Sequence, residues 1–141
     1  MSPFSTYFHD LRRRHRVSQK EIAHLMGYEQ GYISGLEIGR KGPPNEEFIR
    51  KLVDALNLNP EEQVLLGQSV QESQRKYLLP SDASAEIFRL VHELWHEMNN
   101  LHPIQIRMIR DVLHLRDQIS MPSLPDVSRR LCGVQKQEVQ M

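Results

Sequence analysis

Residues 18–39, SQKEIAHLMGYEQGYISGLEIG, leave the chain few ways to fold. Ser18 and Glu21 stand in the S-x-x-E spacing of a capping box, in which two free backbone donors at a helix start are satisfied reciprocally. Ile22 and Leu25 mark the buried side of the short helix that follows, and Gly27 ends it as a left-handed cap. A second helix runs from Glu29, with Ile33 and Leu36 apolar at i, i+3 and Gly39 as its stop. Ala23 is small enough to let the two helices approach, and Gly27 accepts positive φ in a tight turn.

The flanking sequence adds more helices. Ser2-Pro3 offers an N-cap and first helical position, and Phe4, Tyr7, Phe8 and Leu11 recur at helical spacing. RRRHR at 12–16 closes that helix with the positive charge its dipole favours. Gly42-Pro43-Pro44 reads as a loop. Asn45 caps a fourth helix, with Glu46 and Glu47 in its first turn and Phe48, Leu52, Val53 and Leu56 as its stripe. Asn59 and Pro60 start a fifth, which runs through Val64, Leu65 and Leu66 towards Gly67. Two short helices joined by a glycine turn inside such a bundle describe a helix-turn-helix. Ile33 and Leu36 would lock its second helix to the core and leave the other side to enter a major groove.

These residues resemble a known family. LRRRHRVSQKEIAHLMGYEQGYISGLEIGR is similar to the phage repressor/Cro-like (Xre) helix-turn-helix, through VSQ, an alanine four residues after the glutamine, the turn glycine, YIS and LE-x-G. NEEFIRKLVDALNLNPEEQ continues the likeness, which spans roughly residues 5–67. The resemblance implies an all-α fold: a five-helix lambda-repressor-like DNA-binding bundle over residues 1–67, with double-stranded DNA as partner and a homodimer as the binding form.

By position, the resemblance puts Gln19 on a backbone phosphate and Gln30 before base edges, where a glutamine amide suits adenine. Arg12 and Glu37 take the places of a structural ion pair between the first and third helices. Arg40 and Lys41 follow the recognition helix, near phosphates. Lys20, Glu29, Gly31, Tyr32 and Ser34 complete the expected DNA-binding set, with Tyr32 either touching DNA or packing. Gly31 and Gly35 stand where relatives often carry base-reading side chains, and Ile38 where they usually carry a polar one. Readout then leans on Gln30, Ser34 and Tyr32, or on DNA shape.

Formal net charge is zero, which at first argues against nucleic acid, but the charge is unevenly spread. Residues 1–42 hold seven Lys/Arg against four acids, a balance of +3, and residues 43–67 hold two against five, a balance of −3. Binding responds to the local face rather than to the total.

Beyond Gly67 the sequence predicts a polar helical connector over 68–82, broken at Pro80-Ser81-Asp82, and a helical hairpin over 83–117. Ile87, Val91, Leu94, Met98 and Leu101 step by 4, 3, 4, 3 as a short heptad seam. Phe88 and Trp95 widen the apolar arc. Such a seam needs a cover, either the bundle or a second copy of the chain. From 118 to 141 the sequence is rich in Ser, Pro and Gln and reads as a tail without a core. An antitoxin-like or adaptor protein, binding a partner protein through this C-terminal region, is the alternative function. The N-terminus lacks a signal-peptide pattern, no stretch has the roughly 18 apolar residues of a membrane helix, and Cys132 is the sole cysteine. A cytoplasmic protein with no membrane partner is expected.

One motif points elsewhere. HELWHEMNNLH at 92–102 holds His92, Glu93 and His96 in the H-E-x-x-H spacing of zinc proteases, with His102 at the third-ligand position of the longer pattern. At 100° per residue, however, His92 and His96 fall at about 140° and 180° from Ile87, opposite the seam. No strand pattern precedes them to align a peptide substrate. The expectation is a polar helix face, with no metal, no cofactor and no enzymatic activity; zinc binding through His92, His96 and His102 is the remote alternative.

Overall fold

The structure, a computed structural model, describes residues 1–118. Among them all regular structure is helical. The tail expected over 118–141 lies outside the described residues, except Gln118, which ends the last helix. The chain divides into two units, Met1–Pro80 and a second that begins at Ser81.

The first unit holds α1 (Pro3–Arg14), α2 (Gln19–Met26), α3 (Gln30–Glu37), α4 (Glu46–Leu56) and α5 (Pro60–Glu72). Four of these helices begin on a side-chain cap. Ser2 accepts from the Ser5 N–H, Asn45 from Phe48, and Ser18/Glu21 and Asn59/Glu62 each form a complete capping box. Each cap occupies backbone donors that the first helical turn leaves free.

The core is one cluster: Phe4, Phe8 and Leu11 of α1 join Ile22 and Met26 of α2, Ile33 and Leu36 of α3, Phe48 and Leu52 of α4 and Leu66 of α5. Phe4 and Phe8 stack at 5.5 Å, and Phe48 meets both edge-on at 6.3 and 5.8 Å. Such ring geometries add to plain area burial. Outside this cluster, the His15 Nε2–Glu62 Oε1 contact at 3.0 Å and the Tyr7 hydroxyl, which donates to the Glu62 carbonyl at 3.1 Å, fasten α1 to α5.

Three expectations are corrected here. Leu25 is not on the buried side of α2: it is 58 % exposed, and Met26 is buried instead. Ile22, Ala23 and Met26 set the inward face, and Leu25 is turned away from its middle by about 100°. Val64 and Leu65 of α5 are likewise exposed, and only Leu66 of that run is buried. Finally, α5 does not stop near Gly67 but continues to Glu72. Ser69 and Ser73 follow Leu66 at i+3 and i+7, so they share its face, and both are buried. The Ser73 hydroxyl accepts from the Phe4 N–H at 2.8 Å and donates to the Ser69 carbonyl at 2.6 Å. Residues read as connector therefore complete the bundle by closing the start of α1.

The second unit holds α6 (Ala85–Glu97), capped by Ser84, and α7 (Pro103–Gln118). No residue of α6 is buried, and residues 102–116 are all exposed. The seam residues Ile87, Val91 and Met98 stay 43 %, 38 % and 49 % exposed, so the two helices do not cover it. All four tyrosines (Tyr7, Tyr28, Tyr32, Tyr77) belong to the first unit, and the single tryptophan, Trp95, to the second. Among the described residues no helix is long and apolar enough to cross a membrane.

Candidate nucleic-acid interface

The turn between α2 and α3 rests on Gly27, at φ 72° and ψ 31°, with the Tyr28 N–H bonded back to the Ala23 carbonyl at 2.9 Å. This left-handed residue ends α2 and redirects the chain into α3 within three residues.

α3 is held from its inner side. Ile33, Leu36 and Glu37 are buried, and the Ser5 hydroxyl donates to the Leu36 carbonyl at 2.7 Å. Glu37 is the polar anchor. Arg12 Nε donates to its Oε1, and Arg12 Nη2 (3.2 Å) and Gln19 Nε2 (2.8 Å) donate to its Oε2, which His9 Nδ1 also approaches at 3.2 Å. Arg12 also donates through Nη1 to the Val17 carbonyl at 2.8 Å. Burial pushes the Glu37 carboxyl up, but hydrogen bonds from Arg12, Gln19 and His9, with the charge of Arg12, outweigh it. The net effect holds the group below its ordinary value, so it stays ionised. One carboxylate thus ties α1, α2 and α3 together.

At about 100° per residue, Gly31, Gly35 and Ile38 stand roughly opposite Ile33, Leu36 and Glu37. Gln30 and Gly31 are exposed, and Ser34 is half-buried beside them. Tyr32 packs: its ring stacks on Tyr28 at 5.2 Å and lies 5.9 Å from Phe48. Burial, then the neighbouring Tyr28, raise its hydroxyl above the usual value, so it is a neutral phenol.

The chain doubles back after α3. Gly39 has φ 74°, its N–H bonds to the Leu36 carbonyl at 3.2 Å, and the Lys41 N–H bonds to the Gly35 carbonyl at 3.2 Å. The Lys41 stem then lies across Gly35, where a Cβ would meet its Cγ and Cε at 3.3 Å, and its Nζ sits 4.8 Å from the centre of the Tyr32 ring. Gly31 has open space instead. Arg40 is exposed, as are Lys20 and Glu29. Gln19 is half-buried, with one amide hydrogen committed to Glu37.

The histidines of the H-E-x-x-H stretch form no such centre. The His92 and His96 rings face each other edge-on at 4.3 Å on α6. His102 is used at the start of α7, where its N–H donates to Gln105 Oε1 at 2.8 Å and its Nδ1 accepts from Ile104 at 3.3 Å. Among the described residues, no three His, Cys, Asp or Glu side chains converge to hold a metal ion.

Comparison with protein families matches residues 3–66 to the helix-turn-helix domain. Those residues are similar to a helix-turn-helix domain. No curated protein matches the chain, and no solved structure does. The likeness covers α1 to α4 and most of α5, including the short, heavily fastened pair α2 and α3. One further basic residue lies just beyond the matched span. Arg75 donates through Nη2 to the Gly39 carbonyl at 2.7 Å, adding a third cation to Arg40 and Lys41 beside the end of α3. Sequence reasoning missed it because nothing local to SQRKY signals a contact 36 residues away.

Proposed function

We propose that this chain is a sequence-specific DNA-binding transcriptional regulator of the phage repressor/Cro-like (Xre) kind, a dimeric repressor that sets α3 in the major groove. The observation that carries this reading is the Glu37 clamp. It fixes α3 to α1 and α2 and leaves Gln30 and Gly31 exposed, with Ser34 half-buried beside them. Gln30 then offers a donor and an acceptor to an adenine edge. Gln19, Lys20 and Arg40 serve the phosphates, with Glu29 and Tyr32 flanking. Binding upstream of a gene blocks polymerase.

A dimer presents two copies of α3 about 34 Å apart, one helical turn of DNA. We assign the dimer surface to α6 and α7. Among the described residues they expose twelve large apolar side chains, from Ile87 to Leu115, far more than a monomer ordinarily leaves in one region. Their charges differ in sign: α6 has three glutamates against Arg89, while the described side chains of α7 include Arg107, Arg110 and Arg116 against Asp111. α6 of one copy therefore suits α7 of another in a two-fold arrangement.

Fluorescence anisotropy tests the main reading, with labelled duplexes from upstream of the chain's own gene and a scrambled control, over a range of salt. The regulator binds the upstream duplex preferentially and loses affinity as salt rises. Equal binding to both duplexes at every salt concentration overturns sequence-specific recognition. The same exposed apolar surface favours a second reading, the antitoxin-like or adaptor protein. Mass measured in solution separates the two: a dimer supports the first, and a monomer that dimerises only with a partner protein supports the second.

A further inference from the structure

The outward face of α3 is short of side chains, because Gly31 and Gly35 both lie on it. At Gly35 the gap is filled from outside the helix. The positive-φ Gly39 folds the chain back, the Lys41 N–H bonds to the Gly35 carbonyl, and the lysine stem lies over the Gly35 Cα. Gly35 is buried, and the atoms nearest to where its Cβ would stand all belong to this stem. Lys41 then runs on to Tyr32, whose ring holds the ammonium at 4.8 Å by the attraction of a cation to an aromatic face. Lys41 is thus packed along the helix that faces the groove rather than extended away from it. Any side chain at position 35 would compete for the same space.

We infer that Lys41 is a base-reading residue, not a phosphate contact, and that it selects guanine. The inference rests on α3 lying in the major groove as proposed above. An ammonium has three donors and no acceptor, so it needs a base edge that only accepts. In the major groove guanine presents two adjacent acceptors, N7 and O6, and is the best match. Lys41 supplies the chemistry that the two glycines removed from the helix itself, and Gly35 is the residue that makes room for it.

The test is selection of binding sites from random-sequence duplexes by the full chain, by Lys41→Gln and by Lys41→Arg, followed by anisotropy on the selected sites. Circular dichroism confirms that each variant is folded. The wild-type and Lys41→Arg chains select a motif with guanine at one position per half-site, and Lys41→Gln loses that preference alone. Replacing this G·C pair by A·T weakens wild-type binding by roughly 5- to 100-fold and leaves Lys41→Gln nearly unaffected. Gly35→Gln, which keeps the lysine but takes its place, loses the same guanine. If Lys41→Gln instead selects the wild-type motif and binds every duplex more weakly by one common factor, Lys41 is a phosphate contact and the inference is wrong. If the wild-type chain enriches no motif, sequence-specific recognition itself fails, and this inference fails with it.

Discussion

The side-chain amide of Gln19, the first residue of α2, donates at 2.8 Å to Glu37, the last residue of α3. The two helices of the motif are therefore joined at one end by Gly27 and near the other by a buried carboxylate that also receives Arg12. A residue proposed as a phosphate contact is thereby coupled to the anchor of α3.

Replacing Glu37 is expected to be expensive in stability. Glu37→Ala strips the partner from a largely buried guanidinium and lowers unfolding free energy by about 2–4 kcal/mol. Urea unfolding followed by circular dichroism measures this, and a loss under about 0.5 kcal/mol, the usual range for surface changes, would mean the clamp is ornamental.

Acid should weaken the fold through the same group. Glu37 titrates below its ordinary value of 4.5 when folded, as does Glu62, where burial is outweighed by hydrogen bonds from His15 and Asn59 and by nearby positive charge. The unfolded chain therefore takes up protons first. Stability contributed by these groups is complete above about pH 5 and is lost as pH falls past 4.5 towards their folded values. A melting-temperature profile from pH 7 to 3 should fall in that window and be shallower in Glu37→Gln. Parallel profiles would assign the acid response to other carboxylates.

The bundle should need its residues beyond Gly67. Ser73→Ala leaves the buried Phe4 N–H without its acceptor, a loss of about 1–3 kcal/mol. A chain truncated after Gly67 loses Ser69 as well and should melt lower still. Equal melting temperatures for the truncated and full-length first unit would show that the matched domain is self-sufficient.

The two glycines of α3 should respond differently to alanine. Gly31 opens on empty space, so Gly31→Ala stabilises by up to about 1 kcal/mol through helix propensity. At Gly35 the new methyl has to push the Lys41 stem aside, so the gain is smaller or absent. Thermal unfolding of the pair decides it, and an equal gain at both positions would mean that Lys41 does not rest there.

What was legible in the sequence was whatever is encoded locally. Ser2, Ser18, Asn45 and Asn59 all start helices as their spacing announced, because a cap and the donors it satisfies lie within three residues. The inward side of α2 was harder. In a helix of eight residues, Ile22 with Leu25 and Ile22 with Met26 are both helical pairs, and only the neighbours α3 and α4 choose between them. Ser69 and Ser73 looked like surface residues, since composition does not say that a hydroxyl will be buried by its hydrogen bonds. At the candidate interface, the family resemblance implied the Arg12 and Glu37 pairing, but Lys41 over Gly35 depends on a fold-back at Gly39 that no periodicity reports. The apolar seam of α6 was readable because its 4, 3 spacing lies within one helix.

The division of aromatic residues between the two units gives the chain a built-in optical separation. Every tyrosine reports on the first unit, and the lone indole of Trp95 reports on α6. Selective excitation of the indole during a melt follows the second unit alone, while tyrosine emission follows the first. Added DNA that alters the colour of Trp95 emission would thus reveal communication between the halves without attaching a single dye.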